Sequence, residues 1–333
     1  MRILAVDDDP IILDLLRTVL SEAGYTDLAT ASSAEEAVSV IERTDRGFDC
    51  FLFDIMMPGI DGVALTGAVR AMPQYAQTPI LMVSRLDDKH HFDRAFAAGA
   101  SDYVTKPFEP TELKVRLGLA EQVSRQQKAL AAAAVDAPQT PLPRLAEPFQ
   151  LDDVPYAINN HALESYLQSV PVGSSGMLFF ALKLVNASEL HRKSTGDDYH
   201  FIINSLADAV TDVLSGANYF ISHAGNGVVS FVVHGGTDMT EEEIIHSIMS
   251  DASGLDVTLA SGEEVVLDIV VGSSSASRIT SRGARIEAMR EAVLSAEGIA
   301  EAMVARELGL AAVHPMPKRS GGLFDRLFGG IAA

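Results

Sequence analysis

A few polar residues each follow a short apolar run. Asp54 follows Cys50 to Phe53, and Asp7, Asp8 and Asp9 follow Ile3-Leu4-Ala5-Val6. Ser84 follows Ile80 to Val83, and Lys106-Pro107 follows Tyr103-Val104-Thr105. A buried strand that ends in a polar residue holds it on a rigid support, and open parallel sheets bind ligands beyond the carboxyl ends of their strands. An aspartate placed there can act as a nucleophile, dividing a group transfer into two easier steps. Neighbouring carboxylates suit a hard dication, and a lysine compensates charge on a phosphoryl group. A single strand-end acid is ordinarily a cap, so the reading rests on the whole set.

The elements that must position these groups are legible around them. Strands are expected at Ile3 to Val6, Leu28 to Ala31, Cys50 to Phe53, Ile80 to Val83 and Tyr103 to Thr105, alternating with helices at Ile11 to Ala23, Ala34 to Arg43, Gly62 to Met72 and Phe92 to Ala98. In the first helix Ile12, Leu15, Leu16, Val19 and Leu20 recur at three and four residues, which marks one buried face. Ser32 or Ser33 is placed to cap the second helix. The alternation predicts a parallel sheet covered on both faces, a flavodoxin-like doubly wound α/β fold. X-Pro bonds alone adopt the cis form at low cost, so a cis bond is open at Lys106-Pro107.

The acidic pair Asp7-Asp8, the D-x-x-M-P-x-x-D-G run from Asp54 to Gly62, Ser84, Tyr103 and Lys106-Pro107 together resemble the receiver domains of two-component response regulators, over roughly the first third of the chain. The resemblance implies that Asp54 accepts a phosphoryl group from a histidine kinase or phosphotransfer protein. It implies Mg2+ held by Asp7, Asp8, Asp54 and the Met56 backbone carbonyl, with Lys106, aimed by a cis bond to Pro107, contacting the phosphoryl group and Ser84 and Tyr103 as the switch pair.

A receiver is expected over residues 1–122, followed by a helical and Pro-rich linker over 123–150. The helix starting at Thr111 is expected to run on to Val135, with the break at Asp136 to Pro143. A second α/β domain is placed at 151–312. Its expected order is a short helix in Asn160 to Val170, a strand in Met177 to Val185, a helix from Asp198 to Leu214, a hairpin of Tyr219 to His223 and Val228 to His234 around an Asn-Gly turn, a helix at Glu241 to Ser250, a strand at Val265 to Gly272 and a helix at Arg282 to Ala296.

That order resembles the GGDEF domain of diguanylate cyclases, a nucleotidyl-cyclase-like fold. Ala224-Gly225-Asn226-Gly227-Val228 stands where the family has G-G-[DE]-E-F, and Gly196-Asp197 resembles its G-D pair. The departures are chemical. Asn226 and Gly227 supply no carboxylate, Lys183 and Val185 stand near the end of the first strand where the family holds metal, Glu297 takes the place of a late lysine, and Ser215 to Asn218 replaces the R-x-x-D inhibitory motif. Joining two GTP molecules needs metal-binding carboxylates, so no catalytic residue is assigned to this domain, and it is read as a degenerate module for dimerisation or for binding an unknown downstream protein. A receiver-controlled cyclase and a non-catalytic nucleotide sensor are the alternatives.

The 333 residues carry a net charge of -20, which disfavours nucleic acid as a partner. Cys50 is the only cysteine, so it is read as a core hydrophobe, and the nine histidines lack an H-x-x-x-H pair. With neither a secretory signal nor a long apolar run in view, a cytoplasmic location is expected. The basic-apolar tail, 313–333, is read as a contact for the chain itself or a partner, with a membrane surface as the lesser alternative.

Overall fold

A computed structural model of the chain describes residues 1–85, 89–134, 140–170, 176–274 and 282–307. They fall into two compact units, the first ending with the long helix that closes at Ala134 and the second opening with the stretch that begins at Thr140.

In the first unit, β1 (Arg2–Val6), β2 (Asp27–Ala31), β3 (Cys50–Phe53), β4 (Ile80–Ser84) and β5 (Asp102–Thr105) form one parallel sheet in the order β2-β1-β3-β4-β5. Between them run α1 (Pro10–Glu22), α2 (Ala34–Glu42), α3 (Gly62–Arg70) and α4 (Lys89–Ala97), and α5 (Pro110–Ala134) follows β5. The flavodoxin-like winding is as expected. Strands buried on both faces read as continuous apolar runs: Ile3, Ala5, Leu52, Leu81 and Val83 pack with Leu16 and Leu20 of α1 and Leu113 and Leu117 of α5. Cys50 is fully buried, and burial pushes its thiol up to about 12, as a core role requires.

Local chemistry sets the element ends. Asp9 caps α1 by accepting from the Ile11 amide at 2.9 Å, and Ser33 caps α2 by accepting from the Glu36 amide at 3.2 Å. Helix α5 runs through position 122 without a break. Ser124 is buried on its inner face and Lys128 pairs with Asp49, so the helical stretch after 122 packs as part of the first unit.

In the second unit, β6 (Leu178–Leu184), β7 (Asn218–Gly225), β8 (Val228–His234) and β11 (Ile269–Ser273) form an antiparallel sheet in the order β11-β6-β8-β7. The helices are α6 (Asn160–Ser169), α7 (Ala187–Lys193), α8 (Gly196–Val213), α9 (Glu241–Ala252) and α10 (Arg282–Glu307). Phe180, Leu182, Phe231, Ile202, Leu206, Val210 and Ile248 form the centre of the core.

Three expectations need correction here. The strand read over Val265 to Gly272 is two. Glu264–Val265 (β10) pairs with Val257–Thr258 (β9) in a separate ribbon, and only β11 joins the sheet. The break is held by Asn186, whose amide donates to the Val266 carbonyl at 2.8 Å and accepts from the Asp268 amide at 3.3 Å. Helix α10 continues past Ala296 to Glu307, and α7 was not foreseen. The stretch read as linker up to 150 is built into the second unit from Thr140 onward, with Leu145 and Phe149 packed on its core. Residues 136–139 of the Pro-rich break and the tail 313–333 lie outside the described residues. Among the described residues, no helix is long and apolar enough to cross a membrane.

Candidate functional site

Parallel register gathers the strand-end groups. Val6 stands beside Phe53, and the Asp54 amide donates to the Val6 carbonyl at 2.9 Å. Asp7 and Asp54, each the first residue past its strand, are therefore neighbours. Ser84 pairs with Thr105, and the Lys106 amide donates to the Ser84 carbonyl at 2.9 Å. The Lys106-Pro107 bond is cis. The Lys106 ammonium donates to Asp7 Oδ2 at 2.6 Å and stands 3.3 Å from Asp54 Oδ1, an ion-pair distance without aligned hydrogen-bond geometry.

Carboxylate oxygens of Asp7, Asp8 and Asp54 lie within 4.8 Å of one another. Asp7 and Asp54 are buried and Asp8 is exposed. Burial raises the Asp7 carboxyl above its ordinary range, and Lys106 opposes that shift. An all-oxygen set with more than one negative charge suits a hard dication of the magnesium kind, and the buried Asp54 Oδ1 lacks the hydrogen bonds such an atom normally has. Asp9, in the same acidic run, is committed to capping α1 and to donating its amide to Asp7 Oδ1 at 3.1 Å.

Ser84 is buried with its hydroxyl unpartnered, and Tyr103 is buried with its ring 5.1 Å from that of Phe92. Met56 lies in the loop after β3 with its side chain exposed, while Asp61 caps α3 and pairs with Arg94 at 3.3 Å. Gly62 keeps the loop against the strand end: a Cβ there would stand 1.9 Å from the Asp54 carbonyl oxygen, so only glycine fits.

The hairpin of the second unit is built differently. Asn226 (φ 52°) and Gly227 (φ 67°) are the two central residues of a tight turn of the primed type, flanked by the paired Gly225 and Val228. Ala224 and Val228 are buried. The Lys183 ammonium donates to the Asn226 carbonyl. Burial lowers the Lys183 pKa and raises that of Glu297, and each charge favours the other. A cation thus sits at the turn's carbonyl, and the Glu297 carboxylate of α10 is near enough to favour its charge. Among the described residues, Asp7, Asp8 and Asp54 form the only acid cluster fit for a metal. The resemblance to GGDEF domains groups Lys183, Asn226 and Glu297 about one site, although they come from three separate elements and no periodic pattern joins them.

Residues 3–118 match the response regulator receiver domain family. The transcriptional regulatory protein YvrH of Bacillus subtilis is 36% identical over 115 residues, covering 34% of this chain and 46% of that protein. The alkaline phosphatase synthesis transcriptional regulatory protein PhoP of the same organism is 38% identical over 116 residues, 35% of this chain and 46% of PhoP. The chain thus spans about half the length of these relatives. An uncharacterized 14.6 kDa protein of Leptolyngbya boryana is 37% identical over 113 residues, which are 34% of this chain and 84% of that protein. Among solved structures, a putative response regulator from Chloroflexus aurantiacus is 39% identical, covering 36% of this chain and 97% of that one, with a TM-score of 0.34.

Proposed function

Since this chain belongs, through residues 3–118, to the response regulator receiver domain family, we propose that Asp54 is its phosphoacceptor and that a sensor histidine kinase or phosphotransfer protein is the donor. One observation carries the reading: Asp54 is buried beside Asp7, and a single ammonium, Lys106, stands within ion-pair distance of both. In the transfer an Asp54 carboxylate oxygen attacks the phosphorus, forming an O–P bond as the donor's N–P bond breaks. Lys106 offsets the charge of the phosphoryl oxygens as they approach two carboxylates. Asp7, Asp8, Asp54 and the Met56 carbonyl would hold a magnesium ion, which when bound neutralises phosphoryl charge.

Ser84, whose buried hydroxyl lacks a partner, gains one in the new phosphoryl oxygens, a charge-assisted bond absent beforehand. Tyr103, on the strand beside Ser84's own and paired there with Met82, completes the switch pair. The output is proposed to lie in the second unit, a GGDEF-like fold that has lost its chemistry and works by pairing with a second copy or binding a downstream protein. Its order of one strand, two helices, a hairpin, a helix, a strand and a helix supports the likeness. Lys183 at the hairpin carbonyl opposes metal binding there.

Purified chain incubated with magnesium and acetyl phosphate is expected to take up one phosphoryl group that hydroxylamine removes, and Asp54→Asn is expected to take up none. Labelling that survives Asp54→Asn would place the acceptor elsewhere. Incubation with GTP and magnesium is expected to yield no cyclic di-GMP, and turnover would overturn the reading of the second unit.

A further inference from the structure

The hairpin end of the second unit is covered by the chain itself. Residues 140–150 have no helix or strand of their own apart from a turn in which the Glu147 amide donates to the Arg144 carbonyl at 2.8 Å. They cross three elements in sequence. Thr140 lies on the first residue of α8, the Pro143 carbonyl accepts from His191 Nε2 of α7 at 2.7 Å, and the Leu145 carbonyl accepts the Asn226 amide of the hairpin turn at 2.5 Å. Phe149 then closes the crossing. Its ring stacks on His200 of α8 at 4.0 Å and leans on His223 of β7 at 4.1 Å, while its amide donates to His223 Nδ1 at 3.3 Å.

Two glycines admit this strap. A Cβ at Gly196 would stand 2.0 Å from the Thr140 carbonyl oxygen, and one at Gly225 would stand 2.6 Å from the Ala146 carbonyl oxygen. Gly196 is the first residue of a helix with an ordinary φ, so its backbone does not call for glycine. The strap above it does.

The fit beneath the strap is incomplete. His223 is 1% exposed and its Nε2 has no hydrogen-bond partner, and the Asn226 side-chain amide nitrogen is likewise buried and unpartnered. A permanent core element normally satisfies such groups, because each buried orphan costs stability. The strap meanwhile keeps Arg144 and Leu142 exposed and only half-buries Leu145 and Phe149. A segment whose anchors are only half-buried, lying over unsatisfied polar groups, is one that opens locally at low cost.

We propose that residues 140–150 are an intramolecular latch over the hairpin end of the second unit, lifting as a piece while the sheet and helices beneath remain folded. This goes beyond the loss of chemistry proposed above: the hairpin turn is also covered against any outside molecule until the latch lifts. The inference rests on the strap's contacts and stands whether or not Asp54 is phosphorylated.

The full chain and two variants test it. Gly196→Ala places a methyl group against the strap while favouring the helix that carries it, and Phe149→Ala removes the anchor over His223. Three rates are read: trypsin cleavage after Arg144, modification of His223 by diethyl pyrocarbonate, and hydrogen exchange across β6 and β8. In both variants cleavage and His223 modification are expected to rise about tenfold or more, the effect of losing one anchoring contact, with exchange in β6 and β8 unchanged. Parent-like cleavage and a protected His223 in both variants would overturn the latch. Cleavage that rises only in step with exchange in β6 and β8 would overturn it too, by making the strap part of the global fold.

Discussion

Two carboxylates share one ammonium at the first unit's sheet edge. Asp7 is 1% exposed, and its partner Lys106 is 11% exposed by side chain. Removing one member of such a buried pair leaves an uncompensated charge, which costs about 3 kcal/mol or more. Lys106→Met is therefore expected to lower the Tm in chelator, and millimolar magnesium is expected to restore part of the loss, because a dication can replace the ammonium between the acids. Thermal unfolding with and without magnesium measures both, and a variant indifferent to magnesium would count against a metal site at Asp7, Asp8 and Asp54. Asp8 reaches the same cluster from an exposed position. Asp8→Asn should weaken magnesium binding by about tenfold or more while leaving the Tm in chelator nearly unchanged, as titration of the ion followed by fluorescence or calorimetry would record.

At the scale of elements, close approach of backbone decides more than propensity does. The loop that leaves β3 turns back so tightly that α3 begins against the Asp54 carbonyl, and Gly62→Ala has nowhere to put its methyl group. Overpacking of this kind costs about 1–3 kcal/mol, and phosphoryl uptake at Asp54 should fall with it, since the loop that carries Met56 must shift. In the second unit α6 carries Glu164, which burial pushes up to about 8, against the pull of Asn160 and of Arg290 on α10. A carboxyl whose folded pKa is raised favours the folded state only while protonated. Stability should therefore fall as pH rises from the unfolded value near 4.5 toward 8. Glu164→Gln is expected to match the parent near pH 4 and to exceed it at pH 8.5 by about 1–3 kcal/mol, a range reduced for partial exposure. Denaturant unfolding at the two pH values reads the difference, and equal slopes in parent and variant would remove Glu164 as the cause.

Across the whole molecule, the segment proposed as a latch begins at Thr140, six positions beyond the last residue of α5 at Ala134. A signal from the receiver that reaches the second unit would meet this segment first, since it is the first described part of that unit in the chain. Beryllofluoride with magnesium, which imitates the phosphoryl group, is expected to change trypsin cleavage after Arg144 about fivefold or more in the parent and to leave Asp54→Asn unaffected. Equal rates in both would uncouple the two units. The sheet and the gathering of Asp7, Asp54 and Ser84 were legible in the amino-acid order, because each of the three directly follows an apolar run and parallel strands in register bring such positions to one edge. A cap from Ser32 or Ser33 was legible too, being a matter of adjacent residues, whereas the cis bond before Pro107 was expected from the family resemblance. The break at Val266 to Asp268 and the docking of 140–150 over His223 were not. Each joins side chains or backbone from elements far apart in the chain, where neither period nor turn chemistry reaches, and only the packing of the second unit brings them together.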